Sequence, residues 1–249
     1  MFSVLIPVVD QLADVYVVIM HLSISGRGDT ALVVQETFSL RMREMMVCPG
    51  CSRSWPNPPH DYDTHVFYVH VRALKDVAAK AGKRHVGGKQ SSGLALDALL
   101  QTAGKGDLYS CQNIESCSMA RRGEKRAGHR YLLSGPPQVF SLGLVWDTLR
   151  VDQEDVKSVL QLIEPTLSLK AFRLPSRGAA EMPQAVPCAE LRAFFCFHPQ
   201  KHHYVAFLSH RQSGQWLCID DTDVQVLGPM YSDATARCAQ LQYQPSLFF

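Results

Sequence analysis

Between Phe194 and Val224 the chain reads FFCFHPQKHHYVAFLSHRQSGQWLCIDDTDV, and no other stretch narrows its fold so far. Tyr204 to Ser209 and Trp216 to Ile219 are rich in aromatic and β-branched residues, with a polar, turn-like Arg211 to Gly214 between them. Two antiparallel strands joined by a four-residue turn are expected. Val205 then faces Asp220, and His203 lies two residues further along its strand, on the same face. Diagonal neighbours of this kind are roughly 7–8 Å apart at Cα and closer at the side chains. An imidazole and a carboxylate so placed can hydrogen-bond, the carboxylate setting the tautomer and orientation of the ring. A bulge would shift the register and bring in Asp221 instead. The plain reading is a surface hairpin with polar ends. The functional reading is the acid-and-imidazole half of a thiol-hydrolase site, which needs a nucleophile to complete it.

Strands predominate elsewhere too. His65 to Arg72 alternates, with Phe67, Val69 and Val71 on one face, and further strands are expected at Leu191–His198 and Val224–Leu227. The helices are inserted among them: Ala73–Ala81, Leu94–Thr102, Asp152–Glu164 and Ser232–Gln240. In the third of these, Asp152 is the expected N-cap, and Val156, Val159, Leu160 and Ile163 form one buried stripe. Three prolines make Arg53–Asp63 read as a loop, as does Leu174–Pro187, and Gly82–Gly93 reads as a linker. Strands with inserted rather than alternating helices argue for an α+β fold.

The Phe194–Val224 segment resembles the C-terminal box of the ubiquitin-specific proteases, a family of cysteine deubiquitinases. There, one strand ends in histidine followed by tyrosine, and the next ends W-x-x-(F/Y)-D-D-x-x-V. The matching residues are His203-Tyr204 and Trp216-Leu-Cys-Ile-Asp220-Asp221-Thr-Asp-Val224. Pro137 to Trp146 (PQVFSLGLVW) resembles a further family strand, and Gln244-Pro245 to Phe249 its last one. The version here is most similar to divergent members often described as lacking activity. The resemblance runs from about Gln35 to Phe249, with its motifs in family order. It implies a papain-like fold with zinc-binding "fingers" at about 47–130, a "palm" at about 131–249 and the "thumb" largely missing. It also implies His203 and Asp220 as catalytic residues, with Asp221 as the alternate carboxylate.

Cys48-Pro-Gly-Cys51 has the two-residue spacing that turns both thiolates onto one metal. Cys111 and Cys117 are the second pair the resemblance implies, and together the four sulfurs make a structural zinc site. Their five-residue gap is wider than the family's, and His129 is a possible substitute ligand. Cys188, Cys196, Cys218 and Cys238 read as structural thiols.

A thiol protease needs an activated cysteine. The family's cysteine box, G-x-x-N-x-C-(F/Y)-x-N, does not occur in the sequence. The expected function is therefore the C-terminal part of a ubiquitin-specific protease domain, hydrolytically silent as written. The alternative is a non-catalytic module that binds ubiquitin or acts as a scaffold. Met1–Ile24, within an apolar segment spanning 1–34, stands where the family carries a longer catalytic subdomain, which reads as an incomplete chain or a misplaced start. Asp10, Gln11 and Asp14 interrupt it below the roughly 18 apolar residues of a spanning helix, so no membrane association is expected. A net charge of +2 does not suggest a nucleic-acid partner. Ubiquitin or ubiquitinated proteins are the expected partners. A metal-type cysteine pair in a long chain without a convincing signal peptide points to the cytoplasm or nucleus.

Overall fold

The computed structural model describes residues 36–83, 95–104, 108–133, 137–148, 150–173, 187–198 and 200–249. The expectations for the 1–34 segment, most of the Gly82–Gly93 linker and most of the Leu174–Pro187 loop fall outside these residues.

A seven-stranded sheet joins one strand of the first half of the chain to six of the second, in the order β13-β12-β11-β10-β14-β7-β3. Its strands are β3 (Phe67–His70), β7 (Leu142–Val145), β10 (Ala193–His198), β11 (His203–His210), β12 (Gln215–Asp220), β13 (Asp223–Gly228) and β14 (Gln244–Phe248). All neighbours are antiparallel except β3 and β7. Strand parity divides the side chains between two layers. Phe194 and Cys196, Val205 and Phe207, and Trp216 and Cys218 face one way, into the main core. Phe195, Ala206, Leu217 and Ile219 face the other way, into a smaller cluster with Val66 and Leu247.

Helices cover the main-core face. Helix α1 (Val71–Lys83) and α2 (Leu96–Ala103) lie at the β3 side, α4 (Gln153–Leu160) and α5 (Tyr231–Gln240) at the other. Asp152 caps α4 as expected, accepting from the Asp155 N–H at 2.7 Å, and Val156, Val159, Leu160 and Ile163 are all buried. Helix α5 drops Ala234 and Cys238 onto the sheet, where both are completely buried. The layer is dense in aromatics: Phe194 stacks on Phe207 at 4.6 Å and on Phe248 at 5.4 Å. The ordering of strands and inserted helices is α+β, as expected.

A smaller sheet, β2-β1-β6, carries β1 (Leu40–Val47), β2 (Ser54–Thr64) and β6 (His129–Leu132). The proline-rich Arg53–Asp63 segment, expected as a loop, is mostly strand β2. That strand is at the sheet edge, where a missing N–H costs no ladder bond. Its pairing with β1 jumps from Asp61 to Pro56, so four residues sit opposite one, and the prolines lie at this irregularity. A two-stranded ribbon, β4 (Leu108–Ser110) with β5 (Lys125–Ala127), encloses the short helix α3 (Ser118–Arg121), and β8 (Thr166–Ser168) pairs with β9 (Cys188–Glu190). The strand expected over His65–Arg72 shortens to Phe67–His70. The chain turns helical at Val71, which keeps its side chain in the core.

Candidate functional site

Residues at the ends of three adjacent strands meet on the main-core face. Counting in twos along β10, Phe194 and Cys196 lead to His198; along β11, Phe207 and Val205 lead to His203; along β12, Trp216 and Cys218 lead to Asp220. Each strand therefore ends a buried apolar file with one polar group. The β11–β12 register, Ala206 opposite Ile219, continues without a bulge and places Asp220 diagonally from His203. The turn is the four-residue one expected. Gly214 has a positive φ of 66° and donates its N–H to the His210 carbonyl.

His203 Nε2 and Asp220 Oδ1 are 2.6 Å apart, and both side chains are about three-quarters buried or more. With Nε2–H donating to Asp220, the neutral ring carries its lone pair on Nδ1, the nitrogen left to accept a proton. The other carboxylate oxygen accepts from Lys201 Nζ at 3.3 Å. Burial opposes ionisation of Asp220. Hydrogen bonds from Lys201 and His203 outweigh it and hold the carboxyl below the ordinary carboxylate range. Asp221 is exposed, in the left-handed region at φ 54°, and begins the turn into β13; its carboxylate lies within 4.8 Å of the pair. The hydrogen bond to the imidazole is made by Asp220.

Two groups at this site had not been anticipated. Lys201 is one. The other is His198, which pairs with His203 across the β10–β11 hairpin. Its ring centroid is 5.4 Å from that of His203 and 4.7 Å from that of Tyr243. The signal was available: two strand-like runs four residues apart place residue 198 opposite residue 203. Beside His198 opens a cleft of about 530 Å³, also lined by Arg150, Gln200, His202 and Gln242.

At the far end of the small sheet, four cysteine sulfurs converge within 4.8 Å of one another: Cys48, Cys51, Cys111 and Cys117. Cys48 Sγ is 3.5 Å from Cys117 Sγ, and Cys51 Sγ is 3.8 Å from Cys111 Sγ. Four sulfurs at ~2.3 Å from a tetrahedral metal are about 3.8 Å apart, so the donor set and its spacing fit a thiolate-bound ion. The Cys48–Cys51 knuckle is closed by the Ser52 N–H donating to the Cys48 carbonyl. Gly50 allows the approach of the second pair, since a Cβ there would meet Met119 Cγ and Sδ at 2.9 Å and Cys117 Sγ at 3.3 Å. The wide Cys111–Cys117 gap is taken up by a turn in which Asn113 accepts from the Cys117 N–H and from Ser116 Oγ. His129 is not in the group. A backbone N–H bond from Ala120 pulls Cys117 down to about 7, against burial. Burial pushes Cys111 up to about 12.

The remaining cysteines do not supply an activated thiol to His203. Its ring nitrogen bonds Asp220, while Cys196, Cys218 and Cys238 are buried in the core. Burial raises Cys196 well above the ordinary thiol range and Cys218 to about 12. Cys188 lies on β9, opposite Ser168 of β8.

The four convergent thiols on a small sheet and the histidine–carboxylate pair at the end of a large one belong to one α+β protein. No family model matches the chain. It is 26% identical over 220 residues to human ubiquitin carboxyl-terminal hydrolase 53, an alignment taking 87% of this chain and 18% of that protein. It is likewise 26% identical over 219 residues to rat ubiquitin carboxyl-terminal hydrolase 54, taking 86% and 12% respectively. The chain is a divergent relative of the ubiquitin-specific proteases and spans less than a fifth of the length of these curated relatives. Among solved structures it is similar to a yeast SAGA deubiquitinating module, with a TM-score of 0.47 and 14% identity, over 92% of this chain and 44% of that one. It is also similar to a SAGA module containing Ubp8, Sgf11, Sus1 and Sgf73 bound to monoubiquitin, with a TM-score of 0.46 and 13% identity, over 87% and 41%. No described helix is long and apolar enough to cross a membrane.

Proposed function

We propose that the chain is the fingers-and-palm part of a ubiquitin-specific protease domain, acting in the removal of ubiquitin from proteins and silent in hydrolysis as written. The observation that carries this is the 2.6 Å contact between His203 Nε2 and Asp220 Oδ1, formed by the residues that match the family's C-terminal box. In this reading His203 Nδ1 is the general base and Asp220 its orienting carboxylate. Neither attacks a carbonyl, so acyl transfer waits on a thiolate that these residues do not provide. The fingers span about 47–130 and the palm about 131–249. Cys48, Cys51, Cys111 and Cys117 hold a zinc ion, which cross-links the finger and has no part in the chemistry. Ubiquitin or ubiquitinated proteins are the partners, in the cytoplasm or nucleus.

Two measurements on the full chain test this reading. Labelled ubiquitin titrated into it is expected to bind, and ubiquitin vinyl sulfone is expected to leave it unlabelled. Absence of binding at high ubiquitin concentration overturns the ubiquitin reading. Labelling that disappears in one Cys→Ala variant overturns the silent one.

A further inference from the structure

His198 is a buried histidine with no assigned task. It is 8% exposed, and its Nδ1 is buried without a hydrogen-bond partner. It is a flat ring held between two others. The rings of Tyr243, His198 and His203 follow one another at 4.7 and 5.4 Å, and Asp220 closes the row. Tyr243 is itself fixed: it is buried, its N–H donates to the Cys238 carbonyl, and its own carbonyl accepts from the Cys238 thiol. The row is thus anchored at one end by the last residue of the α5-to-β14 connection and at the other by β12.

We propose that His198 is a positioning residue for His203. Wedged as a neutral ring between Tyr243 and His203, it holds the His203 imidazole against Asp220 with Nδ1 free. This rests on the reading of His203 and Asp220 as a catalytic pair.

The charges around His198 agree. From β11 comes His203, from the hairpin turn Lys201 and His202, from β12 Asp220, from the α5–β14 connection Tyr243, and across the cleft Arg150. Burial first, then His203 and Lys201, disfavour protonation, and Asp220 opposes them only in part. His198 stays neutral at a pH where an ordinary histidine begins to charge. A second cation in the row would compete with the His203 ring for Asp220.

The test is the nitrogen spectrum of the histidines in the free full-length chain. Wild type at alkaline pH is expected to show His203 as the Nε2–H tautomer, and on acidification His198 is expected to protonate below the ordinary histidine value. H198F, which keeps a ring, is expected to keep that tautomer. H198A, which leaves a hole, is expected to mix the tautomers of His203. An unchanged His203 tautomer in a folded H198A overturns the proposal. Should H198A not fold, the wild type still decides, because a His198 that protonates no lower than an ordinary histidine overturns it equally. No ubiquitin is present, so failure here is distinct from failure to bind ubiquitin.

Discussion

Asp220 does not face His203 across the hairpin; it sits one diagonal away, opposite the Val205 position, and reaches the imidazole at 2.6 Å. This separates it from its neighbour Asp221, which the β12–β13 turn leaves exposed. Asp220 accepts from both His203 and Lys201. Removing it leaves a partly buried imidazole unpaired. D220A is expected to lose about 1.5 kcal/mol, the low end for a hydrogen bond to a charged group, since the site is not fully dry. D221A is expected to stay within about 0.5 kcal/mol of wild type, as an exposed substitution does. Urea unfolding of the two variants checks both values, and equal losses would show that the register argument has the wrong carboxylate.

The four-cysteine group ties the Cys48–Cys51 turn to the Cys111–Cys117 turn, which are joined in sequence only through the body of the protein. Metal binding there is expected to stabilise the finger by an amount on the order of 10 kcal/mol, as in structural thiolate sites. Thiolates are the ligands, so protons compete with the metal. With Cys111 raised to about 12 and Cys117 near 7, apparent affinity is expected to rise with pH and to fall steeply below 7. Cobalt substitution followed by thiolate-to-metal absorption reads this directly. Wild type is expected to give a tetrahedral spectrum at one ion per chain, and C51S a weaker and shifted one.

The legibility of the molecule in its sequence follows from period and register. The hairpin was readable because a two-residue period and a four-residue turn leave one register, which the pairing of Ala206 with Ile219 matches. Helix α4 was readable because Asp152 and the Val156, Val159, Leu160 and Ile163 stripe agree on one start and one face. The β2 strand was misread because proline marks a breaker locally, and only the sheet order reveals an edge that tolerates it. The Cys111–Cys117 gap read as wider than the family's, because the Asn113 turn that draws the two together is not a spacing. His198 was passed over because, at the end of an apolar run, it resembles a strand-ending polar residue. Its partner across the turn had to be counted out before it joined the site.

Phe207 sits at the centre of the aromatic layer, fully buried and stacked on Phe194 with rings 2° from parallel. Phe194 in turn touches Phe248, Trp216 and Tyr231, so the layer joins four sheet strands to α5. F207A is expected to cost about 3–5 kcal/mol, the transfer of the ring plus the cavity it leaves. The exposed Val226 on the edge strand β13 is the control: V226A is expected to change stability by less than about 0.5 kcal/mol. Thermal unfolding followed by tryptophan fluorescence distinguishes the two.

Acid is expected to act on this fold in two stages, with the sign set by where protons bind. His198 is lowered in the folded protein, so the unfolded chain takes up its proton first. Stability is therefore present above about pH 6.5, the ordinary histidine value, and is lost as pH falls below it. Asp220 is also lowered, but as an acid: its contribution is present above about pH 3.9 and is lost as pH falls further through its depressed value. H198F removes the first proton and is expected to flatten the upper stage while leaving the lower one. D220N removes the second and is expected to flatten the lower stage while deepening the upper one, because Asp220 partly favours the protonated form of His198. Denaturant midpoints of wild type and both variants from pH 8 to pH 3 resolve the two windows, and an upper stage that persists unchanged in H198F would place its origin at another histidine.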